Sequence, residues 1–529
     1  MQSEQGVRPA GGRGKVFLVG AGPGDPGLLT LRGRQCLERA DVVVYDRLAN
    51  ERLLSYARSD AELIYVGKAA NRHALPQEEI NLLLVQKASE DKVVVRLKGG
   101  DPYIFGRGGE EAEVLRRHGI PFEEVPGVTS AVAAPAYAGI PLTHRGYASS
   151  LAIVTGHEDP TKGESSLRWE KLATATDTLV FLMGMENLEQ IAEKLLAYGR
   201  PASAPVALVR WGTTADQEVL VGELGTIARR AAEQNFTSPA IIVVGEVVRL
   251  RSLLNWFEEK PLFGRRILVT RSRAQASALS DLLAELGAEP VEFPAIEIAP
   301  PESYAPLDEA IERLSSYHWV IFTSSNGVDA FLQRLLEKGR DARALGGRKL
   351  AAIGPGTAAA LRRWGLQADY APAEEFRAEG ILAGFPAAEV AGRRFLLPRA
   401  AEARDVLPRR LAEQGARVDE VTAYRTVPAR SGHQREAVRQ LLEEGKIAAV
   451  TFTSSSTVRN FLQLLGEGGG GGEWRRLLAG VVVACIGPIT AETARQAGLT
   501  VHVEAEEYTI PGLVRALVRY FEQSKVKVE

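Results

Sequence analysis

Short apolar runs recur along the chain, each closed by glycine or a polar turn. In the first half the clearest are KVFLVG, DVVVYD, KVVVRLKGG, SLAIVTG, TLVFLMG, PVALVRWG and PAIIVVGEVV. They are rich in β-branched residues and about as long as a strand. Stretches with helical spacing of apolar positions separate them. This alternation predicts α/β domains with largely parallel sheets. In such folds ligands gather at the carboxyl ends of strands, where these glycine turns fall.

The pattern breaks at RSLLNWFEEKPLFGRR. A helical stretch ends there, Pro261 closes it, and RRILVTR opens a new strand, so a junction is expected near residue 262. A chain of 529 residues suits more than one domain. The expectation is a disordered tail over 1–14, a first domain over 15–260 and a second over 264–525.

The second domain contains an internal repeat. IFTSSNGV from Ile321 is matched by TFTSSSTV from Thr451, and IGPGTAAAL from Ile353 by IGPITAETA from Ile486. AEEFRAEGIL from Ala373 is matched by AEEYTIPGLV from Ala505, and LVTR from Leu268 by LLPR from Leu396. Four pairs in one order indicate duplicated lobes. A compact arrangement puts 264–300 with 427–525 in lobe one and 301–426 in lobe two, with crossovers near PAIEIAP and VTAYRTVP. GEGGGGGEW at Gly466–Trp474 reads as a surface insertion.

Charge and composition narrow the chemistry. Lys plus Arg (64) nearly balances Asp plus Glu (66), so no bulk basic field invites nucleic acid and anions must be met by local arginines. The cysteines Cys36 and Cys485 lie far apart and form no disulfide framework or metal cluster; both read as small buried hydrophobes. The histidines show no metal-ligand spacing. No apolar run is long enough to span a bilayer, and MQSEQGVRPAGGRGK lacks an apolar core. The expected compartment is the cytoplasm, with no membrane partner.

VGAGPGDPGLLTLRG, from Val19, poses the sharpest question. A dinucleotide turn needs G-x-G-x-x-G opening a helix, with an acid about 20 residues on. Gly20 and Gly22 fit, but Pro23 follows and the next glycines, Gly24 and Gly27, miss the third position. Asp25 suits a helix N-cap and Pro26 the first helical position. Asp46 offers a weak match to the ribose-binding acid.

Longer motifs weigh against the dinucleotide reading. VRLKGGDPYIFGRGGEE (Val95–Glu111) and VPGVTSAVAAPAYAGIPLTHRG (Val125–Gly146), with VVYDRL, FLMGM and WGTTADQ, resemble the uroporphyrinogen-III C-methyltransferase family of tetrapyrrole methylases. The resemblance covers residues ~15–258 in family order. It implies two α/β lobes with S-adenosylmethionine between them, a homodimer, and methylation of uroporphyrinogen III at C-2 and C-7 to precorrin-2. The family's cofactor contacts fall on Pro23, Gly99, Gly100, Asp101, Ile104, Thr129, Ser130, Met183 and Gly212. Gly99 and Gly100 would let backbone approach a ligand, Asp101 would accept from an ammonium or hydroxyl, and Ile104 and Met183 would offer apolar surface to adenine.

The implied substrate is rich in carboxylates, for which forked arginines are the natural partners. Arg47, Arg107 and Arg145 stand in the matched motifs. The family's polar active-site positions fall on Asp46, Lys68, Arg107 and Glu110, although an Arg107/Glu110 pair is more often a solvent salt bridge. Methyl transfer needs in-line positioning and exclusion of water. A ring proton must then leave, and the residues leave the base open between Asp46 and Arg107.

Residues ~264–525 resemble uroporphyrinogen-III synthase, through ILVTR, FTSSNGV, AAIGPGTA, LLPRA, AYRT, FTSSSTV, ACIGPITAETA and EYTIPGLV. The resemblance implies a two-lobed, internally duplicated α/β fold with a paired-strand ladder between lobes. It also implies cofactor-free closure of hydroxymethylbilane with inversion of the last ring. Tyr424 and Thr490 match family positions facing the substrate. Ser324, Ser325, Ser454 and Ser455 suit carboxylate binding or helix capping equally, and Arg271 and Arg399 stand at strand ends where acetate and propionate groups would come. A non-catalytic tetrapyrrole-binding module remains the alternative for this half, and a nicotinamide-dependent enzyme for the first. Siroheme and cobalamin remain alternatives for the product's use.

Overall fold

The computed structural model describes residues 14–67, 75–157, 166–271, 273–372, 389–401, 406–428, 432–466 and 473–526. Lys68, residues 1–13 of the tail, the AEEFRAEGIL segment and residues 467–472 of the glycine insertion lie outside them. The chain divides into two units, 1–264 and 265–529.

The first unit holds two sheets. Strands β1 (Lys15–Gly20), β2 (Val42–Tyr45), β3 (Glu62–Tyr65), β4 (Val93–Lys98) and β5 (Phe122–Val125) form a parallel sheet in the order β3-β2-β4-β1-β5. Its middle strands are covered on both faces. Val16, Leu18, Val42, Val43, Val44, Val94, Val95 and Leu97 are all fully buried, as continuous apolar runs in a parallel sheet require. β1 and β4 are neighbours whose onward connections leave in opposite directions, toward β2 and β5. Such a place opens a crevice at the strand ends.

The second sheet contains β6 (Leu151–Thr155), β7 (Thr178–Leu182), β8 (Pro205–Arg210), β9 (Glu218–Glu223) and β10 (Ala240–Val244), in the order β6-β7-β10-β8-β9. The expectation of largely parallel pairing fails here. Only β6–β7 is parallel, while β7–β10, β10–β8 and β8–β9 are antiparallel. Part of the reason is loop length. The connection 211–217 is too short for a parallel crossover, which needs about a dozen residues or more.

The second unit also has two five-stranded sheets. One comprises β11 (Arg266–Val269), β12 (Glu289–Glu292), β18 (Ala449–Phe452), β19 (Val482–Cys485) and β20 (Val503–Glu504), ordered β12-β11-β18-β19-β20. The other comprises β13 (Ile296–Ala299), β14 (Trp319–Phe322), β15 (Lys349–Ala352), β16 (Arg394–Ala400) and β17 (Arg417–Pro428), ordered β13-β17-β16-β14-β15. Matching β11 with β16, β12 with β17, β18 with β14 and β19 with β15 superposes the two orders. The lobes are therefore circular permutants: one takes its first two strands from before the middle of the unit, the other from after it.

The repeat reaches side-chain packing. Phe322 and Phe331 meet edge to face at 5.6 Å, and their repeat partners Phe452 and Phe461 meet the same way at 5.4 Å. Each such pair adds about 1 kcal/mol beyond its area burial. The lobe boundary drawn at residue 300 needs correcting. β13 belongs to the second lobe's sheet, where it runs antiparallel to the far end of β17, with Ala299 opposite Arg425 and Glu297 opposite Val427. β17 runs two residues beyond 426, because one long strand serves both the parallel sheet and this ladder.

Candidate functional site

In the first unit the loops after β1, β2, β4 and β5 converge on backbone contacts. Ala21 N–H donates to the Lys98 carbonyl at 2.7 Å, and Gly22 and Gly100 exchange hydrogen bonds at 3.2 and 2.7 Å. A Cβ on Gly20 would lie 2.4 Å from Gly127 Cα and 2.7 Å from the Gly100 oxygen. One on Gly127 would lie 2.3 Å from that same oxygen. Only glycine permits this three-way approach. Gly100 also takes a positive φ of 69°, and Thr129 Cα and Ser130 N stand just beyond it. Gly99 abuts Leu48, in the loop that carries Asp46 and Arg47; a Cβ there would lie 2.4 Å from Leu48 Cβ.

Asp101 ties these loops together. One carboxylate oxygen accepts from the N–H groups of Tyr103 (2.8 Å) and Ile104 (3.0 Å), and the other from Gly127 N–H (3.0 Å). With three backbone donors already in place it braces the loops, a role its expected contact to a ligand ammonium had not anticipated. Thr129 caps the helix Ser130–Tyr137, accepting from Ala131 N–H at 3.3 Å.

The second lobe closes on this cluster. Asp25 N–H donates to Thr213 Oγ1 at 3.0 Å, and the Arg47 guanidinium lies 5.4 Å from the Trp211 ring centre. Gly212 packs on the helix that follows Thr129; a Cβ there would be 2.3 Å from Ala134 Cβ. Met183 follows β7, 52 % exposed, and the sheet's directions place it at the same end as Gly212. Pro23 is half-buried in the β1 loop, and Ile104 is exposed. Asp25 caps a short turn of helix with Pro26 at its first position, as the sequence implied, and its second oxygen accepts from Tyr137 Oη at 2.7 Å. Burial and Asp25 together raise the Tyr137 pKa well above the usual phenol range.

The polar candidates divide. Arg107 and Glu110 form an exposed two-pronged pair at 2.6 and 2.9 Å, which raises the Arg107 pKa and lowers that of Glu110. Asp46 sits at the end of β2, accepting from Leu48 N–H at 3.1 Å and from Arg96 at 2.8 Å. Arg145 is exposed in the turn between His144 and Ala148. Sequence reasoning passed over Arg96, Lys98 and Glu111, three buried charged residues beneath Asp46. Their signal was two cations in register within an otherwise apolar strand.

In the second unit the strand-end hydroxyls are engaged locally. Ser324 caps the helix Ser325–Glu337 by accepting from Gly327 N–H at 3.0 Å, and shares a 2.9 Å hydrogen bond with Tyr424 Oη. Ser325 donates to the Gly356 carbonyl at 3.2 Å. On the other lobe Ser454 accepts from Thr457 N–H at 3.3 Å, and Ser455 shares a 2.7 Å bond with Thr493. Thr490 is buried in the first turn of the helix Pro488–Gln496. Arg399 is 7 % exposed and paired with Glu420 at 3.0 Å. Arg271 is partly buried just after β11, and burial lowers its pKa. The structure thus joins Ser324 with Tyr424 on one lobe, and Ser455 with the Thr490 helix on the other.

The geometry defines a chain of two α/β parts: first two lobes in contact, one of them with strand-end loops that meet at glycines, then a duplicated two-lobed fold whose strand ends lead into capped helices. Family comparison agrees part by part. A model for tetrapyrrole (corrin/porphyrin) methylases matches residues 15–228, and one for uroporphyrinogen-III synthase HemD matches 277–515. The porphyrin biosynthesis protein HemD of Ruminiclostridium josui is 41% identical over 505 residues, covering 96% of this chain and 98% of that protein. An S-adenosyl-L-methionine-dependent uroporphyrinogen III methyltransferase of Methanosarcina barkeri is 56% identical over 245 residues, 46% of this chain and 96% of that protein. A crystal structure of a Thermus thermophilus uroporphyrin-III C-methyl transferase complexed with S-adenyl homocysteine is 44% identical. It covers 45% of this chain and 100% of that one, with a TM-score of 0.39. The chain belongs to the family that fuses a tetrapyrrole methylase to uroporphyrinogen-III synthase.

Proposed function

We propose that the second half closes hydroxymethylbilane to uroporphyrinogen III with inversion of the last ring, and that the first half methylates this product at C-2 and C-7 to precorrin-2. The observation that carries the first-half reading is the glycine meeting of Gly20, Gly100 and Gly127. It brings the loops that carry Pro23, Asp101 and Thr129 together, backbone against backbone. The sheet order β3-β2-β4-β1-β5 also differs from the dinucleotide-binding order, in which strands one and two are neighbours.

S-adenosylmethionine supplies an electrophilic methyl group when bound. Pro23, Gly99, Gly100, Thr129, Ser130, Met183 and Gly212 would hold it, with Asp101 keeping their loops in place. Arg47, Arg107 and Arg145 would meet substrate carboxylates. When bound, S-adenosylmethionine would pass its methyl group to the pyrrole carbon and leave as S-adenosylhomocysteine, and a ring proton would have to pass to one of this chain's polar groups. Asp46 suits that proton better than Arg107. A guanidinium whose pKa is raised further by Glu110 is no base, whereas Asp46 is a partly exposed carboxylate fixed at a strand end.

In the synthase half, Tyr424 on β17 meets Ser324 at a helix start, and Ser454 and Thr490 lie at the starts of their helices. There dipoles and hydroxyls would fold the bilane for closure. The test of the methylase half uses full-length protein, uroporphyrinogen III and methyl-labelled S-adenosylmethionine. Two labels per macrocycle are expected. No transfer, combined with binding of a nicotinamide nucleotide, would overturn the reading.

A further inference from the structure

β4 should be apolar throughout, since it lies inside a parallel sheet, and Val94, Val95 and Leu97 are fully buried. Yet Arg96 and Lys98, two residues apart and so on one face, are only 3% and 4% exposed. Glu111, from the first turn of the helix Gly108–Arg117, is completely buried against them. One of its oxygens accepts from Lys98 Nζ (2.8 Å), Gln77 Nε2 (3.0 Å) and Arg96 Nε (3.3 Å). The other has no partner among the described residues. Arg96 continues outward: Nη1 donates to the carbonyls of Leu97 (3.1 Å) and Val44 (3.4 Å), and Nη2 to Asp46 at 2.8 Å.

A buried ion cluster of this kind gives little stability, since apolar side chains of similar volume often serve as well or better. Its charges balance, two cations against Glu111 and Asp46, and only Asp46 reaches the surface, at 25% side-chain exposure. A guanidinium is a rigid fork, so Arg96 fixes the Asp46 carboxylate relative to the sheet. Glu111 in turn fixes Arg96. We infer that Arg96 and Glu111, with Lys98, are positioning residues that hold Asp46 in the orientation needed to receive the ring proton. This rests on the reading of Asp46 as the base given above.

The test compares Asp46→Asn, Arg96→Lys, Glu111→Gln and the double variant Asp46→Asn/Arg96→Lys in the full-length chain. The readouts are kcat and KM for methyl transfer to uroporphyrinogen III, S-adenosylmethionine affinity by calorimetry, and thermal melting. Arg96→Lys keeps the charge but loses the fork. It should lower kcat about tenfold to a hundredfold, as small misplacements of a reacting group do, with cofactor affinity unchanged within about twofold. The double variant should fall no further than Asp46→Asn alone, because both remove one function. Multiplying effects, or a loss of cofactor affinity in step with kcat, would overturn the inference and leave a structural cluster. A harmful Asp46→Asn beside a harmless Arg96→Lys would also overturn it, while leaving Asp46 as the base. A harmless Asp46→Asn would overturn both. Should Arg96→Lys fail to fold, the near-isosteric Glu111→Gln carries the same comparison.

Discussion

At the end of β1, Gly20 stands against the backbones of Gly100 and Gly127 with no space for one extra carbon. At the end of β14, Ser324 caps its own helix and reaches Tyr424. Both are strand ends in parallel sheets, yet one is made of bare backbone and the other of hydroxyls. The difference is one of tolerance. A glycine meeting admits no substitute at several positions at once, so it writes long motifs into the chain. A cap is met by Ser, Thr, Asp or Asn, so it writes short ones. The first half announces its chemistry in contiguous stretches, the second mainly through its repeat.

The largest expected effect comes from closing the glycine meeting. Gly127→Ala puts a carbon 2.3 Å from the Gly100 oxygen and 2.6 Å from Gly20 Cα. It should cost about 3 kcal/mol through overpacking and abolish S-adenosylmethionine binding, read by melting and calorimetry together. Retained binding would break the contrast between the halves. In the second half, Ser324→Ala removes a cap and one partner of Tyr424 and should cost about 1 kcal/mol. If type III product falls far more than that loss explains, Ser324 touches substrate as well as capping.

Tyr137→Phe sharpens the comparison within the first half. It removes the phenol that holds Asp25 and should weaken cofactor binding several-fold, at about 1 kcal/mol. Arg107→Ala should leave melting unchanged, because its pair with Glu110 is more than half exposed on both sides. Its expected effect is a raised KM for uroporphyrinogen III. The smallest effect concerns the thiols. Cys36 and Cys485 are buried; burial raises the Cys36 pKa and pushes that of Cys485 up to about 12. Both remain protonated at neutral pH, so neither should be alkylated in the folded protein, as mass spectrometry would show.

Particular residues show what the chain could and could not disclose. Alternating apolar runs marked the strands, and Asp25–Pro26 marked a real helix start. The antiparallel pairing of β8 and β10 was hidden because a buried run reads the same whichever way its neighbour points. β13 was assigned to the wrong lobe because its partner, the far end of β17, lies more than a hundred residues away in sequence. Arg96, Lys98 and Glu111 stood inside a motif read for its glycines, and their burial becomes visible only once β4 is placed in the middle of its sheet. The serines were ambiguous for a physical reason: the oxygen that caps a helix is the same one that would bind a carboxylate.

The most direct test of the account supplies the full-length protein with hydroxymethylbilane under anaerobic conditions, with and without S-adenosylmethionine, and identifies products by isomer-resolving chromatography and mass. The account predicts the type III macrocycle alone without the cofactor and a doubly methylated macrocycle with it. Type I macrocycle alone in the cofactor-free reaction would mean spontaneous closure, and would contradict the claim that the second half is an enzyme.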